Sequence, residues 1–114
     1  MKSELKKLHD KCWILWSKKI REEENYICFT CGKQCDKYTS QAGHFRHGKL
    51  DFDRMNIHCQ CVGCNKYLHG RLGDYAMHLI KNYGQSAVDD LILRAEAHKG
   101  YKLKDLDKIL QDLK

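Results

Sequence analysis

Between residues 3 and 24 the apolar positions recur at helical spacing. Leu5, Leu8, Cys12, Trp13, Leu15, Trp16 and Ile20 fall within an arc of about 160°, which predicts an amphipathic helix with one buried face. Ser3 is placed to cap it and Glu4 sits in its first turn. Cys12 lies mid-stripe and reads as a core thiol in preference to a ligand. The two tryptophans read as core side chains before base-stacking platforms, and Arg21-Glu22-Glu23-Glu24 as a solvated helix end. From Tyr26 to Met55 the helical period disappears. Tyr26–Phe29 predicts a short strand entering a knuckle, with Gly32 giving the tight turn. Gln41–Phe45 and Asn56–Cys59 predict the strands of a hairpin around a basic, polar loop, Arg46–Arg54. Helical patterning resumes after Cys64, breaks at Gly73, and runs over 74–83 to a stop at Gly84. Ser86-x-x-Asp89 resembles a capping box opening a further helix that runs to Gly100. Leu103, Leu106, Ile109, Leu110 and Leu113 give a last amphipathic helix. No proline, repeat or low-complexity stretch interrupts the chain.

A chain of 114 residues forms one domain and buries about two thirds of the surface its unfolded form exposes. Its expected parts are an N-terminal helix (1–25), a metal-stabilised core (26–72) and C-terminal helices (73–114). The fold class is α+β. No apolar run approaches the roughly twenty residues needed to span a bilayer, so no membrane partner is expected. The start, Met1-Lys2-Ser3-Glu4, does not resemble a signal peptide, which predicts a cytoplasmic protein.

The formal charge of +6 is uneven: residues 28–73 carry seven Lys/Arg against three Asp, whereas 74–114 carry seven of each sign. Solvated lysines are the bland explanation. Coincidence of this excess with the cysteines and a histidine directs it toward phosphate.

Four of the seven cysteines form two Cys-x-x-Cys pairs, Cys28/Cys31 and Cys61/Cys64. That spacing suits a tetrahedral four-thiolate Zn²⁺ site, which supplies folding energy to a small domain. Reduced, metal-binding thiols fit better than a disulfide framework, and a thiol redox protein lacks the βαβ pattern it requires. Cys35 and Cys59 lie near the frame but have poorer spacing. Between the pairs lies Gln41-Ala42-Gly43-His44-Phe45, and directly after the last thiol comes Asn65. A hairpin delivering a histidine and a helix delivering an asparagine suit a one-metal nuclease. The histidine would take a proton from water, and the amide oxygen would hold a hard ion such as Mg²⁺ or Mn²⁺.

The arrangement C-x-x-C … GH … N-x-H-x-x-C-x-x-C-N resembles the HNH, or ββα-metal, nuclease fold. More narrowly, QAGHF with RMNIHCQCVGCN resembles the phage NinG/Rap family of recombination endonucleases, and the likeness extends over nearly the whole chain. The resemblance implies a small zinc-stabilised HNH-like ββα-metal core with flanking helices. It implies a phage-encoded, structure-specific endodeoxyribonuclease acting on Holliday junctions and D-loops, with phage recombination proteins as further partners. His44 then matches the general base and Asn56 the asparagine that braces the loop bearing it. Asn65 matches the ligand of the catalytic metal. Many HNH enzymes carry an aspartate ligand directly before the base, where this chain has Gly43. Gln41 likewise replaces the aspartate of the similar DRGH box, so water and the scissile phosphate complete the ligand set.

On a helix His69 would share the face of Asn65 and could reach the same ion. His58 has a site role, a role supporting the zinc ligands, or plain packing as equal alternatives. His47 reads as a loop residue in preference to a phosphate contact, and His9, His78 and His98 as structural or exposed. Arg46 and Arg54 are candidate phosphate clamps, with Lys66 and Arg71 as further DNA contacts. A homodimer on DNA is expected, because resolving a junction needs two related cuts. The leucine stripe of the last helix could provide that contact, although covering the chain's own core is its simpler use. The alternative function is a non-catalytic zinc-knuckle DNA-binding module.

Overall fold

Ser3 caps the first helix by accepting the Lys6 N–H on its hydroxyl at 3.1 Å. Helix α1 then runs Glu4–Glu23 in this computed structural model, which describes residues 2–114. Strand β1 (Ser40–His44) pairs antiparallel with β2 (Ile57–Cys61). One turn of π-helix follows over Gly63–Tyr67. Three helices complete the chain: α2 (Leu72–Tyr83), α3 (Gln85–Ala97) and α4 (Leu103–Leu113). The result is a mixed fold of helices around one two-stranded sheet. Among the described residues no helix is long and apolar enough to cross a membrane.

The hydrophobic stripe of α1 serves two partners. Trp13, Trp16 and Ile20 pack on Ala42 and Ile57 of the hairpin. Leu8, Cys12 and Leu15 meet Leu106 and Leu110 of α4. Cys12 is fully buried, and Leu106 and Leu110 of α4 are spent on the chain's own core, whereas Leu103 stays exposed. Burying a side chain such as Leu106 contributes about 1.5–3 kcal/mol. A third cluster joins Phe45 and Leu50 to Tyr75, Leu79, Val88 and Leu91, fastening α2 and α3 to the end of β1.

Several boundaries differ from the sequence pattern. The expected strand at Tyr26–Phe29 reduces to a single bridge between Ile27 and Gln34. Gly73 lies inside the first turn of α2. The break comes earlier, where His69 and Arg71 adopt φ of 52° and 46°. Ser86 caps nothing, because α3 begins at Gln85 after Gly84, and the helix ends at Ala97, short of Gly100. The carboxylate that closes back on a helix start is Asp105, which accepts the Lys102 N–H at 2.8 Å.

Glu24 is the clearest correction: it is not solvated. One carboxylate oxygen accepts the Cys59 N–H at 2.8 Å; the other meets His58 Nδ1 at 2.6 Å and the Arg54 guanidinium at 2.7 Å. The end of α1 is thereby bolted to β2. His58 is buried, with its ring stacked 3.9 Å from Phe29. Arg54 also donates to the Ile57 carbonyl and pairs with Glu23, so its guanidinium is engaged within the chain.

The four sulfurs of Cys28, Cys31, Cys61 and Cys64 lie within 4.8 Å of one another, and those of Cys31 and Cys61 are 3.8 Å apart. A tetrahedron with Zn–S bonds of about 2.3 Å has edges of about 3.8 Å, so the cluster is placed to bind a metal ion. The Gly32 turn, at φ 77°, brings Cys31 under Cys28, and the Cys64 N–H points at the Cys61 sulfur at 3.4 Å. Burial and neighbouring sulfurs push the Cys31 thiol up to about 12. At Cys28 burial is outweighed by hydrogen bonds from Thr30 and backbone amides, which bring it to about 6. Four thiolates at this spacing require a cation.

Elemental analysis of protein purified without added metal should find one zinc per chain. Cys28→Ser or Cys64→Ser should lose both zinc and most far-UV circular dichroism, whereas Cys12→Ala should keep the metal. Glu24→Gln should lower unfolding free energy by about 2–4 kcal/mol in urea titrations, the scale of a broken half-buried ion pair. Burial opposes ionisation of Glu24, but His58, the Cys59 amide and Arg54 outweigh it and hold its carboxyl below the ordinary value of 4.5. A depressed carboxyl stabilises the fold above its unfolded value and ceases to do so as pH falls through its folded one. Stability should therefore hold above about pH 5 and decline below about pH 4, with a shallower decline in Glu24→Gln.

Candidate active site

The hairpin register sets what each face presents. Gly43 faces His58 and Gln41 faces Gln60 on one side; Ala42 with Cys59 and His44 with Ile57 occupy the other. The second face takes α1, and the first takes Tyr75, Phe29 and the π-turn. A cleft of about 630 Å³ is lined by β1 residues of both faces, so it follows that strand's unpaired edge. From β1 come Gln41 and His44, from α1 Trp13, Ser17 and Arg21, and from beyond β2 Asn65 and Lys66. His44 and Asn65 thus share one cleft, whose lining holds Arg21 and Lys66 and no carboxylate.

His44 is held on several sides. Its Nε2 lies 3.0 Å from Asp51 Oδ1, its ring stacks on Trp13 at 4.9 Å, and His47 lies 5.2 Å away. The other oxygen of Asp51 lies 2.7 Å from His9 Nε2. Burial opposes ionisation of Asp51, yet the bonds from His44 and His9 prevail and keep its carboxyl below the ordinary carboxylate range. Burial together with the neighbouring His44 lowers His47, which disfavours a second positive ring there. The backbone under His44 is pinned by the buried Tyr75 hydroxyl, which donates to the Gly43 carbonyl at 2.8 Å.

Asn56 organises the loop that carries Asp51. Fully buried, it accepts the Arg46 N–H at 2.8 Å and donates to the carbonyls of Arg46, Lys49 and Leu50. These bonds support Leu50 at φ 49° beside Gly48 at φ 70°, a left-handed stretch that turns the chain back toward β1.

Asn65 sits in the π-turn one residue after the last cysteine, and its Nδ2 donates to Gln41 Oε1 at 2.7 Å. His69 does not share its face. The single π-turn ends at Leu68 and His69 is exposed in a left-handed conformation, so helical spacing does not apply. Arg71 pairs with Asp74 at 2.7 Å and approaches the Cys64 sulfur at 3.9 Å. Arg46 lays its guanidinium over the Phe45 ring at 4.9 Å and lies outside the cleft lining. Lys66 is exposed at the cleft.

Asp51, His9, Arg21 and Tyr75 are site residues that the sequence pattern missed. Asp51 had one faint signal, a carboxylate beside Asp53 in a loop that also holds Arg46, Lys49 and Arg54. Arg21 and His9 had none, since their partners are distant in sequence.

The family model described as "Bacteriophage Lambda NinG protein" matches residues 2–114. The "Protein ninG" of Escherichia phage 933W is 38% identical over 85 residues, covering 70% of this chain and 42% of that protein. The "Protein ninG" of Escherichia phage lambda and that of Salmonella phage P22 are each 36% identical over 85 residues, covering 70% of this chain and 41% of theirs. The chain thus spans less than half the length of these curated relatives. No solved structure matches it. With a family match across the described chain and a four-cysteine cluster at its centre, the chain belongs to the NinG family of bacteriophage proteins.

Proposed function

We propose that this chain is a metal-dependent, structure-specific DNA endonuclease with an HNH-like ββα core, cutting branched recombination intermediates such as Holliday junctions and D-loops. The observation that carries this reading is the shared cleft of His44 and Asn65, cationic through Arg21 and Lys66 and free of carboxylates in its lining. A phosphodiester is the ligand such a lining favours. Asp51, ionised and bonded to Nε2, selects the His44 tautomer whose Nδ1 is free of hydrogen. His44 Nδ1 takes a proton from water as the water oxygen bonds to phosphorus. The phosphorus–O3′ bond breaks in line, and solvent protonates the leaving oxygen. Asp51 steadies the resulting imidazolium, while Trp13 keeps its ring from turning. Oxygen donors at Asn65 and Gln41 suit a hard cation. Mg²⁺ or Mn²⁺ held there through Asn65, with water and the scissile phosphate, would neutralise charge on the phosphoryl and leaving oxygens. Zinc in the thiolate frame has a separate, structural part.

The cleft lies on a strand edge and offers no long helix for the major groove. Phosphate contacts should dominate, and shape should decide the substrate over base sequence. Two cuts related by near two-fold symmetry imply a dimer on the junction. Leu106 and Leu110 of α4 are buried against α1, while Leu103 of the same stripe is exposed.

His44→Ala should keep DNA affinity within a few-fold but lose cleavage by roughly 10²–10⁴. Asn65→Ala should behave alike and need more divalent metal. Asp51→Asn should lower kcat with little change in KM, and Asp51→Glu should recover part of the loss, as a positioning carboxylate requires. Wild-type cleavage by His44→Ala would remove the mechanism and leave a DNA-binding module. Junction, D-loop and linear duplex of the same sequences should be compared at several salt concentrations, with mass measured in solution. Branched DNA should be cut faster, by a dimer. A monomer cutting duplex as fast as junction would refute the recombination substrate and spare the nuclease.

A further inference from the structure

Gln60 is fully buried, and its carbonyl oxygen has no hydrogen-bond partner. An unpartnered buried carbonyl costs about 1–3 kcal/mol, so its presence calls for a partner. The amide cannot simply be reversed. Both Nε2 hydrogens are used, one on Thr30 Oγ1 at 3.0 Å and one on the Gly70 carbonyl at 2.8 Å. Turning the amide over would set two carbonyl oxygens against each other. The orientation is therefore determined, and Oε1 is aimed at Gly43.

Gly43 is where this becomes informative. A Cβ built there would stand 1.8 Å from Gln60 Oε1 and 3.0 Å from Asn65 Oδ1. A side chain at 43 and the Gln60 amide thus compete for the same space, and two amide oxygens converge on a notch that only glycine leaves open. Gln41, opposite Gln60 in the register, holds Asn65 by its Nδ2 and so leaves the Asn65 oxygen free. Two convergent neutral oxygens, one without a partner, are the donor set of a hard divalent cation.

We propose that Gln60 Oε1 is a second protein ligand of the divalent cation held by Asn65, reaching it through the notch at Gly43. This rests on the nuclease reading in that the cation is the same one. The bonds from Thr30 and Gly70 then have a function: they lock the ligand's orientation, as groups behind a metal ligand commonly do. A purely internal alternative is an Asn65 amide turned over together with Gln41, so that Asn65 donates to Gln60.

The test is a Mg²⁺ titration of the ¹⁵N-labelled wild-type, zinc-loaded chain, following the side-chain amide resonances of Gln60 and Asn65. Both should shift saturably with one midpoint, and Mn²⁺ should broaden both. A response at Asn65 alone overturns the Gln60 ligand and leaves the nuclease reading intact. No response at either removes the metal site and that reading with it. Variants give an independent check by Mn²⁺ binding in electron paramagnetic resonance, with zinc content as the control for folding. Gln60→Leu should weaken Mn²⁺ about tenfold or more at unchanged zinc. Gly43→Asp in the Gln60→Ala background, where the notch is vacated, should restore affinity to within a few-fold. Unchanged Mn²⁺ affinity in folded Gln60→Leu would refute the assignment.

Discussion

The four-sulfur cluster is the constraint on which the remainder depends. Its members come from two places, the Cys28–Cys31 knuckle and the stretch from the end of β2 into the π-turn, 30 residues further on. Drawing these together fixes where β2 ends and where the following turn begins. Asn65 is adjacent to Cys64, so the same sulfurs that hold the fold also locate the asparagine of the cleft. The hydrophobic contribution alone is dispersed over small clusters, none larger than seven buried side chains. A domain of this size gains little from any one of them, and a cluster placed to bind a metal ion joins the ends of a loop of some thirty residues.

Buried polar groups do the joining that a larger core would do elsewhere. Glu24 ties α1 to β2, Asn56 ties the loop to both strands, and Tyr75 ties α2 to the backbone beside His44. Asp51 belongs to this set and also to the cleft, since it links His9 of α1 to His44 of β1. Each bond is specific in direction, so together they choose one arrangement among several that hydrophobic contact would permit. They also make the fold sensitive to acid, because Glu24 and Asp51 act only as carboxylates.

What could be read from the sequence was local. The helical stripe of α1, the leucines of α4 and the paired thiols are features of spacing within a few residues, and period and ligand geometry suffice to recognise them. Fragments of the polar scaffold could not be read so, because their partners are remote: 34 residues separate His58 from Glu24, and 42 separate His9 from Asp51. Glu24 followed three charged residues and so resembled a solvated end, although its own side chain turns inward. The spacing of His69 misleads for a different reason. Its distance from Asn65 was correct for an α-helix, but the chain makes one π-turn and leaves helical geometry at Leu68. The glycine before His44 looked like a missing ligand, and only packing shows that Gln60 fills its space.

Strand alternation would ordinarily keep His44 apart from Gln41, and so from the Asn65 amide that Gln41 holds, since β1 presents His44 and Gln41 on opposite faces. They meet because β1 is an edge strand with no third neighbour, and a cleft along that edge draws on both faces. An unpaired edge normally invites another strand; here α1 and the π-turn flank it and set Arg21 and Lys66 beside it. The geometry also separates the two kinds of donor. Soft thiolates lie beyond the end of β2, enclosed by the knuckle, and amide oxygens lie at the notch beside Gly43. Soft thiolates suit a borderline-soft ion and amide oxygens a hard one, so the two donor sets differ in the cation each would favour. One short hairpin in this way borders both the sulfur cluster and the cleft and keeps their donor sets apart.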